Sequence, residues 1–130
     1  MFETEFEVDW ADCDPAGIVF YPHFFRFMDT ALQRLLRARG LTQAVFRGEF
    51  GSIGTPLLEA NARFRSPARP GDRLTIRVSK AEWRGRAFRL DYRASIAERL
   101  VFEGFETRIC AAEVEGRLQA IAAPERLRAA

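Results

Sequence analysis

Apolar residues along this chain repeat with a period of two in several stretches and with a period near 3.6 in one, and each change of period marks a change of element. From Phe2 to Trp10 the even positions Phe2, Phe6, Val8 and Trp10 are apolar while Glu3, Glu5, Glu7 and Asp9 take the odd ones, which predicts a half-buried strand. Asp12-Cys13-Asp14-Pro15-Ala16-Gly17 breaks the alternation, because Pro15 fixes φ, Gly17 tolerates positive φ and aspartates close local turns. A loop presenting two carboxylates is expected there. Pro22 suits a first helical position and Gly40 a C-terminal cap, so a helix is predicted between them with Tyr21 at its N-cap. Phe24, Phe27, Met28, Ala31, Leu32, Leu35 and Ala38 form its core-facing stripe, widened by Phe25 and Leu36. So broad an apolar face asks for cover by a strongly curved sheet or a second subunit.

Leu41 to Ser52 reads as a short irregular link, anchored by Val45 and Phe46 and broken by Gly48 and Gly51. Strands follow. Ile53 to Ser66 is the first, ended by the turn Pro67-Ala68-Arg69-Pro70-Gly71-Asp72. Leu74, Ile76 and Val78 alternate with polar neighbours in the second, which leads through Trp83 to a hairpin turn at Arg84-Gly85-Arg86. Phe88, Leu90, Tyr92, Ala94 and Ile96 give the cleanest period of two, Glu98 and Arg99 the next turn, and Leu100 to Ala112 a last long strand with Gly104 as a bulge or close-packing point. Beyond Glu113 the pattern weakens, with Leu118, Ile121 and Leu127 as packing residues and Pro124 opening a final helical turn. Strand, long helix, then consecutive antiparallel strands is the order of an α+β fold.

Composition narrows the function classes. A chain of 130 residues, 48% hydrophobic with 12 Phe, is expected to form one folded domain spanning residues 1–130. Twenty basic against 18 acidic residues leave a net charge of +2 and no basic run, so nucleic acid is not an expected partner. Cys13 and Cys110 are too few for a disulfide framework or a thiolate metal site, which points to a reducing compartment. With no signal-like N-terminus and no apolar run of membrane-spanning length, a soluble cytoplasmic protein without a membrane partner is expected.

No serine elbow, phosphate-binding glycine loop, dinucleotide fingerprint or zinc-ligand spacing occurs, so no metal site is expected. Asp14 is the strongest chemical candidate: a carboxylate on a constrained loop before a helix N-terminus lies near free backbone N–H donors. A carbonyl over that terminus could be polarised by the Tyr21 N–H while Asp14 attacks it or activates water. The structural alternative is that Asp12 and Asp14 only close the turn or cap the helix. Asp29 borders the apolar stripe beside Phe25, Leu32 and Leu36, which suits either a surface pair with Arg26 or Gln33 or a polar group lining an acyl pocket. Cys13 paired with His23 is a further arrangement for a nucleophile, set against the commoner role of a small core residue.

Asp12-Cys13-Asp14-Pro15-Ala16-Gly17-Ile18-Val19, Tyr21-Pro22, Asp29, Gly54-Thr55-Pro56, Asn61, and Glu82-Trp83-Arg84 with Phe88 together resemble the 4-hydroxybenzoyl-coenzyme A thioesterase family of the hotdog-fold superfamily. The resemblance implies an antiparallel sheet wrapped around one long central helix, in dimers joined edge to edge or in tetramers, with active sites at subunit interfaces. It implies Asp14 as the catalytic carboxylate, the Tyr21 N–H as the thioester-polarising donor, and Asp29 beside a hydroxyl of the acyl ring. Phe20, Phe25 and Thr55 join Asp29 in the implied acyl pocket, and Arg84 and Arg86 fall where the family binds coenzyme A phosphates. No cofactor is implied, since coenzyme A is part of the substrate. The chain departs from its relatives at His23, where they carry Asn, at Phe25, where the hydroxybenzoyl enzyme has His, and at Gly85 within the basic turn. These changes bear on the substrate more than on the reaction. The expected activity is hydrolysis of an aromatic or medium-chain acyl-coenzyme A; the alternatives are an acyl-carrier-protein thioesterase and a non-catalytic acyl-coenzyme A binding module.

Overall fold

Pro22 and Gly40 bracket the central helix as their chemistry requires. In a computed structural model, which describes residues 1–79 and 81–130, α1 spans Pro22–Ala38. Gly40 then takes φ +74° and lets the buried Leu41 return its N–H to the Leu36 carbonyl at 2.8 Å, closing the helix. Phe24, Phe27, Met28, Ala31, Leu32 and Leu36 are buried, and each of them except Ala31 contributes about 1.5–3 kcal/mol as an upper estimate for a large apolar side chain. Leu35 is only half-buried and Ala38 exposed, so the stripe turns toward Leu36 in its last turn.

Around α1 lies an antiparallel sheet of β1 (Phe2–Glu7), β2 (Leu57–Phe64), β3 (Arg73–Val78), β4 (Glu82–Arg84), β5 (Ala87–Ile96) and β6 (Arg99–Ile109), in the order β1-β3-β5-β6-β2. β3 and β4 pair with successive halves of the same edge of β5, while β6 takes its other edge along the whole length. Leu74, Ile76 and Val78 on β3, and Phe88, Leu90, Tyr92 and Ala94 on β5, turn the apolar phase of their alternation toward α1. Gly104 on β6 is a close-packing point, as expected: a Cβ there would run into the Asn61 carbonyl on β2.

Several expectations change. The first strand ends at Glu7, because Asp9 and Asp12 form a capping box over a 3-10 turn at Trp10–Asp12, and Trp10 points to solvent. The link after Gly40 contains a helix, α2 (Gln43–Glu49), started by the Thr42 hydroxyl accepting the Val45 N–H at 3.3 Å and held by buried Phe46; Gly48 is tolerated in its last turn. Ile53 to Pro56 joins the neighbouring strands through a Gly54–Ala111 bridge and through the Pro56 carbonyl, which accepts the Ile109 N–H at 3.2 Å, without a continuous ladder, so β2 starts at Leu57. The last long strand is split: after β6, β7 (Ala111–Val114) and β8 (Arg117–Ala120) form a separate hairpin, with the preceding strand turn at Ala97 and Glu98 and Arg99 already in β6. Glu115 and Gly116 at positive φ make the β7–β8 turn possible. The closing helical turn after Pro124 is α3 (Glu125–Arg128), with Leu127 buried and Leu118 exposed. Among the described residues no helix is long and apolar enough to cross a membrane.

Candidate active site

The acidic turn folds on its own backbone before it meets anything else. Asp14 donates its N–H to the Ile18 carbonyl at 3.0 Å and accepts the Gly17 N–H at 2.9 Å, with Gly17 at φ +76°. One carboxylate oxygen of Asp14 closes the turn by accepting the Ala16 N–H at 2.9 Å, while Oδ2 has no protein donor among the described residues. Val19, bonded to the Ala68 carbonyl at 2.8 Å, anchors the far side of the loop on the turn between β2 and β3. Closing the turn thus occupies one oxygen of Asp14 and leaves the other open.

Only one carboxylate is presented. Asp12 is buried: it accepts the Asp9 N–H at 2.9 Å and an ion-paired hydrogen bond from Arg26, and its carbonyl accepts the Phe20 N–H at 2.9 Å. Asp12 is thus the structural member of the pair. His23 lies 3.9 Å from Asp12 rather than against Cys13. Partial burial and the carboxylates of Asp12, Asp14, Asp72 and Asp9 push the Cys13 thiol up, so the site disfavours a thiolate nucleophile.

Tyr21 occupies the N-cap position of α1 with helical dihedrals and no side-chain cap. His23 and Phe24 return their N–H groups to Phe20 and Tyr21, and Pro22 has none, which leaves the Tyr21 N–H without a protein acceptor among the described residues. An unspent donor and the positive end of the helix dipole stand at the same terminus. Aromatic rings surround it. Phe64, from the end of β2, stacks on Phe24 at 5.6 Å and meets Tyr21 and Phe25 edge-on at 6.3 and 6.4 Å, and Phe20 packs edge-on against Tyr21 at 5.4 Å. Phe20 and Tyr21 are exposed and Phe25 is half-buried, so the cluster offers ring faces to a ligand.

Asp29 pairs with neither Arg26 nor Gln33. Its Oδ1 accepts from Arg108 Nη2 at 2.8 Å, across from β6, and the same guanidinium reaches the carbonyl of buried Thr55 at 2.8 Å. Asp29 and Thr55, both expected in an acyl pocket, are brought together by a residue that sequence reasoning missed. The available signal was Glu106 and Arg108 in one alternation phase of a strand, facing the core. Phe64 and Tyr92 were missed as site elements too.

Arg84 and Arg86 flank the β4–β5 turn and are exposed. Arg86 donates to the Ala120 carbonyl at 2.7 Å, and Arg128 donates to the Gly85 carbonyl at 2.8 Å while stacking over Trp83 at 4.7 Å. Trp83 shares a hollow with Leu35, Leu36 and Arg39, so this basic turn lies beside the C-terminal end of α1. Asp14 and Tyr21 lie at the other end, about 25 Å of helix away. One chain does not bring the two halves together. Among the described residues no group of three His, Cys, Asp or Glu side chains is placed to hold a metal ion.

Comparison with known proteins places this geometry among relatives. The profile of the thioesterase-like superfamily matches residues 8–130. The chain is 35% identical over 125 residues to a 4-hydroxybenzoyl-CoA thioesterase from Pseudomonas sp. (strain CBS-3), covering 90% of this chain and 87% of that one. The solved structure of 4-hydroxybenzoyl-CoA thioesterase from the same Pseudomonas strain superposes with a TM-score of 0.91 at 32% identity, covering 97% and 96% of the two chains. That of a 1,4-dihydroxy-2-naphthoyl-CoA thioesterase from Synechocystis gives 0.86 at 27% identity, covering 98% and 92%.

Proposed function

The chain belongs to the thioesterase-like superfamily, with its hotdog fold, and on that footing we propose that it is an acyl-coenzyme A thioesterase for aromatic acyl groups, with Asp14 as its catalytic carboxylate. The observation that carries the reading is the pairing of a free Asp14 oxygen with an unspent Tyr21 N–H at the start of α1, ringed by Phe20, Phe25 and Phe64. The thioester carbonyl oxygen takes the Tyr21 N–H, and charge developing on it is stabilised by that donor and the helix terminus. Asp14 then either attacks the carbonyl carbon or takes a proton from a water that does. The C–S bond breaks, the thiolate leaves and is protonated, and net addition of one water gives a carboxylic acid and free coenzyme A. The acyl ring packs among the phenylalanines, with Asp29 and Thr55 on its polar side, and Arg84 and Arg86 meet coenzyme A phosphates.

The halves of this site lie at opposite ends of α1, so we assign the complete site to a homo-oligomer in which one copy supplies Asp14 and another the arginines. β2 is an edge strand with Leu57, Leu58 and Phe64 exposed, a surface that a dimer joined along that edge would cover. The free thiols of Cys13 and Cys110 fit a reducing, cytoplasmic setting.

A thiol-release assay over a panel of aromatic, medium-chain and carrier-protein thioesters tests the proposal. Aromatic coenzyme A esters should be hydrolysed fastest. Thermal stabilisation by those esters without release of thiol would replace the enzyme with a binding module, and faster release from the carrier protein would replace its substrate.

A further inference from the structure

Four polar side chains meet beneath the middle of α1, and Arg108 spends its guanidinium on three different elements. Nε and Nη2 hold the two oxygens of Glu106 at 2.9 and 3.0 Å, Nη1 holds the Thr55 carbonyl at 2.8 Å, and Nη2 also holds Asp29 Oδ1 at 2.8 Å. Tyr92 donates its hydroxyl to Glu106 Oε1 at 2.5 Å from β5. The side chains of Glu106 and Arg108 are 2% and 6% exposed, whereas that of Asp29 is 54% exposed.

This distribution of charge decides what the cluster is for. Burial alone would lower the pKa of Arg108, but the hydrogen bond and charge of Glu106 outweigh it and push the guanidinium up, so it stays cationic. Glu106 already neutralises it inside the core. The contact to Asp29 is therefore not needed to balance a buried charge. What it does is fix an otherwise mobile helix-surface carboxylate from below, through a planar fork that has no freedom of its own. Asp29 Oδ1 is committed and Oδ2 takes no protein donor among the described residues. A carboxylate oxygen held this way accepts hydrogen bonds and selects ligands that carry an O–H or N–H.

We propose that Arg108, clamped by Glu106, is a positioning residue that sets Asp29 to recognise a hydroxyl on the acyl ring. The inference rests on the thioesterase reading and adds to it the specificity device. The fork acts on acyl selection through Asp29 and touches no reacting atom.

The test compares kcat and KM for 4-hydroxybenzoyl-CoA and benzoyl-CoA, whose ratio of kcat/KM measures hydroxyl preference and cancels any general loss of active protein. Replacing the buried pair together, Glu106→Gln with Arg108→Met, avoids leaving a lone buried charge. The preference should fall at least about tenfold, chiefly through KM, and Asp29→Ala should lower it to the same extent. In the Asp29→Ala background the same pair should change it by less than about twofold, because the fork works through Asp29. A preference that survives the pair substitution but not Asp29→Ala overturns the positioning role, and so does an equal further loss with Asp29 absent. A preference that survives Asp29→Ala removes the acyl-pocket reading of Asp29 and this inference with it, while thiol release still reports on the thioesterase reading. Should the pair variant fail to fold, the apolar pair Glu106→Leu with Arg108→Met carries the same test: it leaves neither a buried charge nor a donor for Asp29, and an unchanged preference overturns the proposal.

Discussion

Asp12 and Arg26 form the ion pair that fastens the acidic turn to α1. Besides Arg26, the Asp12 carboxylate holds the Asp9 N–H and its carbonyl holds the Phe20 N–H, so one buried residue ties both ends of the loop carrying Asp14 to the helix that follows. Asp12→Ala removes a cap worth about 1 kcal/mol, the ion pair with Arg26 and the acceptor of the part-buried Asp9 N–H, for a total of about 1–2 kcal/mol. Urea midpoints should fall accordingly, and kcat/KM should fall with them because Asp14 loses its placement. Asp12→Asn, which keeps an acceptor for Asp9, should recover part of both. Full stability in Asp12→Ala would show that the turn holds itself.

Asp14 makes few structural contacts, so its removal separates chemistry from folding. Asp14→Asn keeps the Oδ1 acceptor for the Ala16 N–H. Thiol release should fall by about 10²–10⁴-fold, the usual worth of a positioned acid–base group, with a melting temperature within a degree or two of the parent. Turnover within a few-fold of the parent would end the Asp14 mechanism.

Separation of the site across α1 predicts complementation between two inactive proteins. Asp14→Asn and the double variant Arg84→Ala with Arg86→Ala should each be poor catalysts alone, the second through a raised KM. Unfolded and refolded together in equal amounts, dimers of mixed composition carry one intact site each, and activity should return to about a quarter of the parent level. No recovery, in a preparation shown by mass to contain mixed dimers, would place both halves of the site in one chain.

Much of this was legible in the sequence because it depends on local chemistry. Pro22, Gly40 and the stripe from Phe24 to Leu32 specify α1 whatever surrounds them, and alternation from Phe88 to Ala94 specifies β5 and its buried face. What escaped depends on partners distant in the chain. Asp29 sits at a helix position where spacing suggests Arg26, yet its partner is 79 residues away, on a strand whose register against α1 no local pattern encodes. Glu106 and Arg108 occupy core-facing positions that an apolar alternation rule passes over as polar. Trp10 failed for the opposite reason: it continues the period of two, but the Asp9–Asp12 capping box ends the strand first. The helix α2 was hidden by Gly48, whose cost of about 1 kcal/mol is offset by the Thr42 cap and the burial of Phe46.

The Tyr92–Glu106 hydrogen bond also sets how the fold behaves in alkali. Burial, and then the charge and hydrogen bond of Glu106, raise the pKa of Tyr92 well above that of a free tyrosine, so the folded protein keeps this proton at pH values where the unfolded chain loses it, near 10. Above that pH the unfolded state binds fewer protons than the folded state, which makes the slope of unfolding free energy against pH negative. The stabilisation is fully present below pH 10 and is lost at about 1.4 kcal/mol per pH unit above it. Tyr92→Phe lacks the ionisable group and should escape this loss, although it starts lower by about 1–2 kcal/mol for the missing hydrogen bond to a charged acceptor. Urea unfolding of both proteins from pH 8 to pH 11 should therefore give two stability curves that run parallel up to about pH 10 and converge beyond it. Curves that stay parallel to pH 11 would show that Tyr92 releases its proton as readily in the folded core as in the unfolded chain.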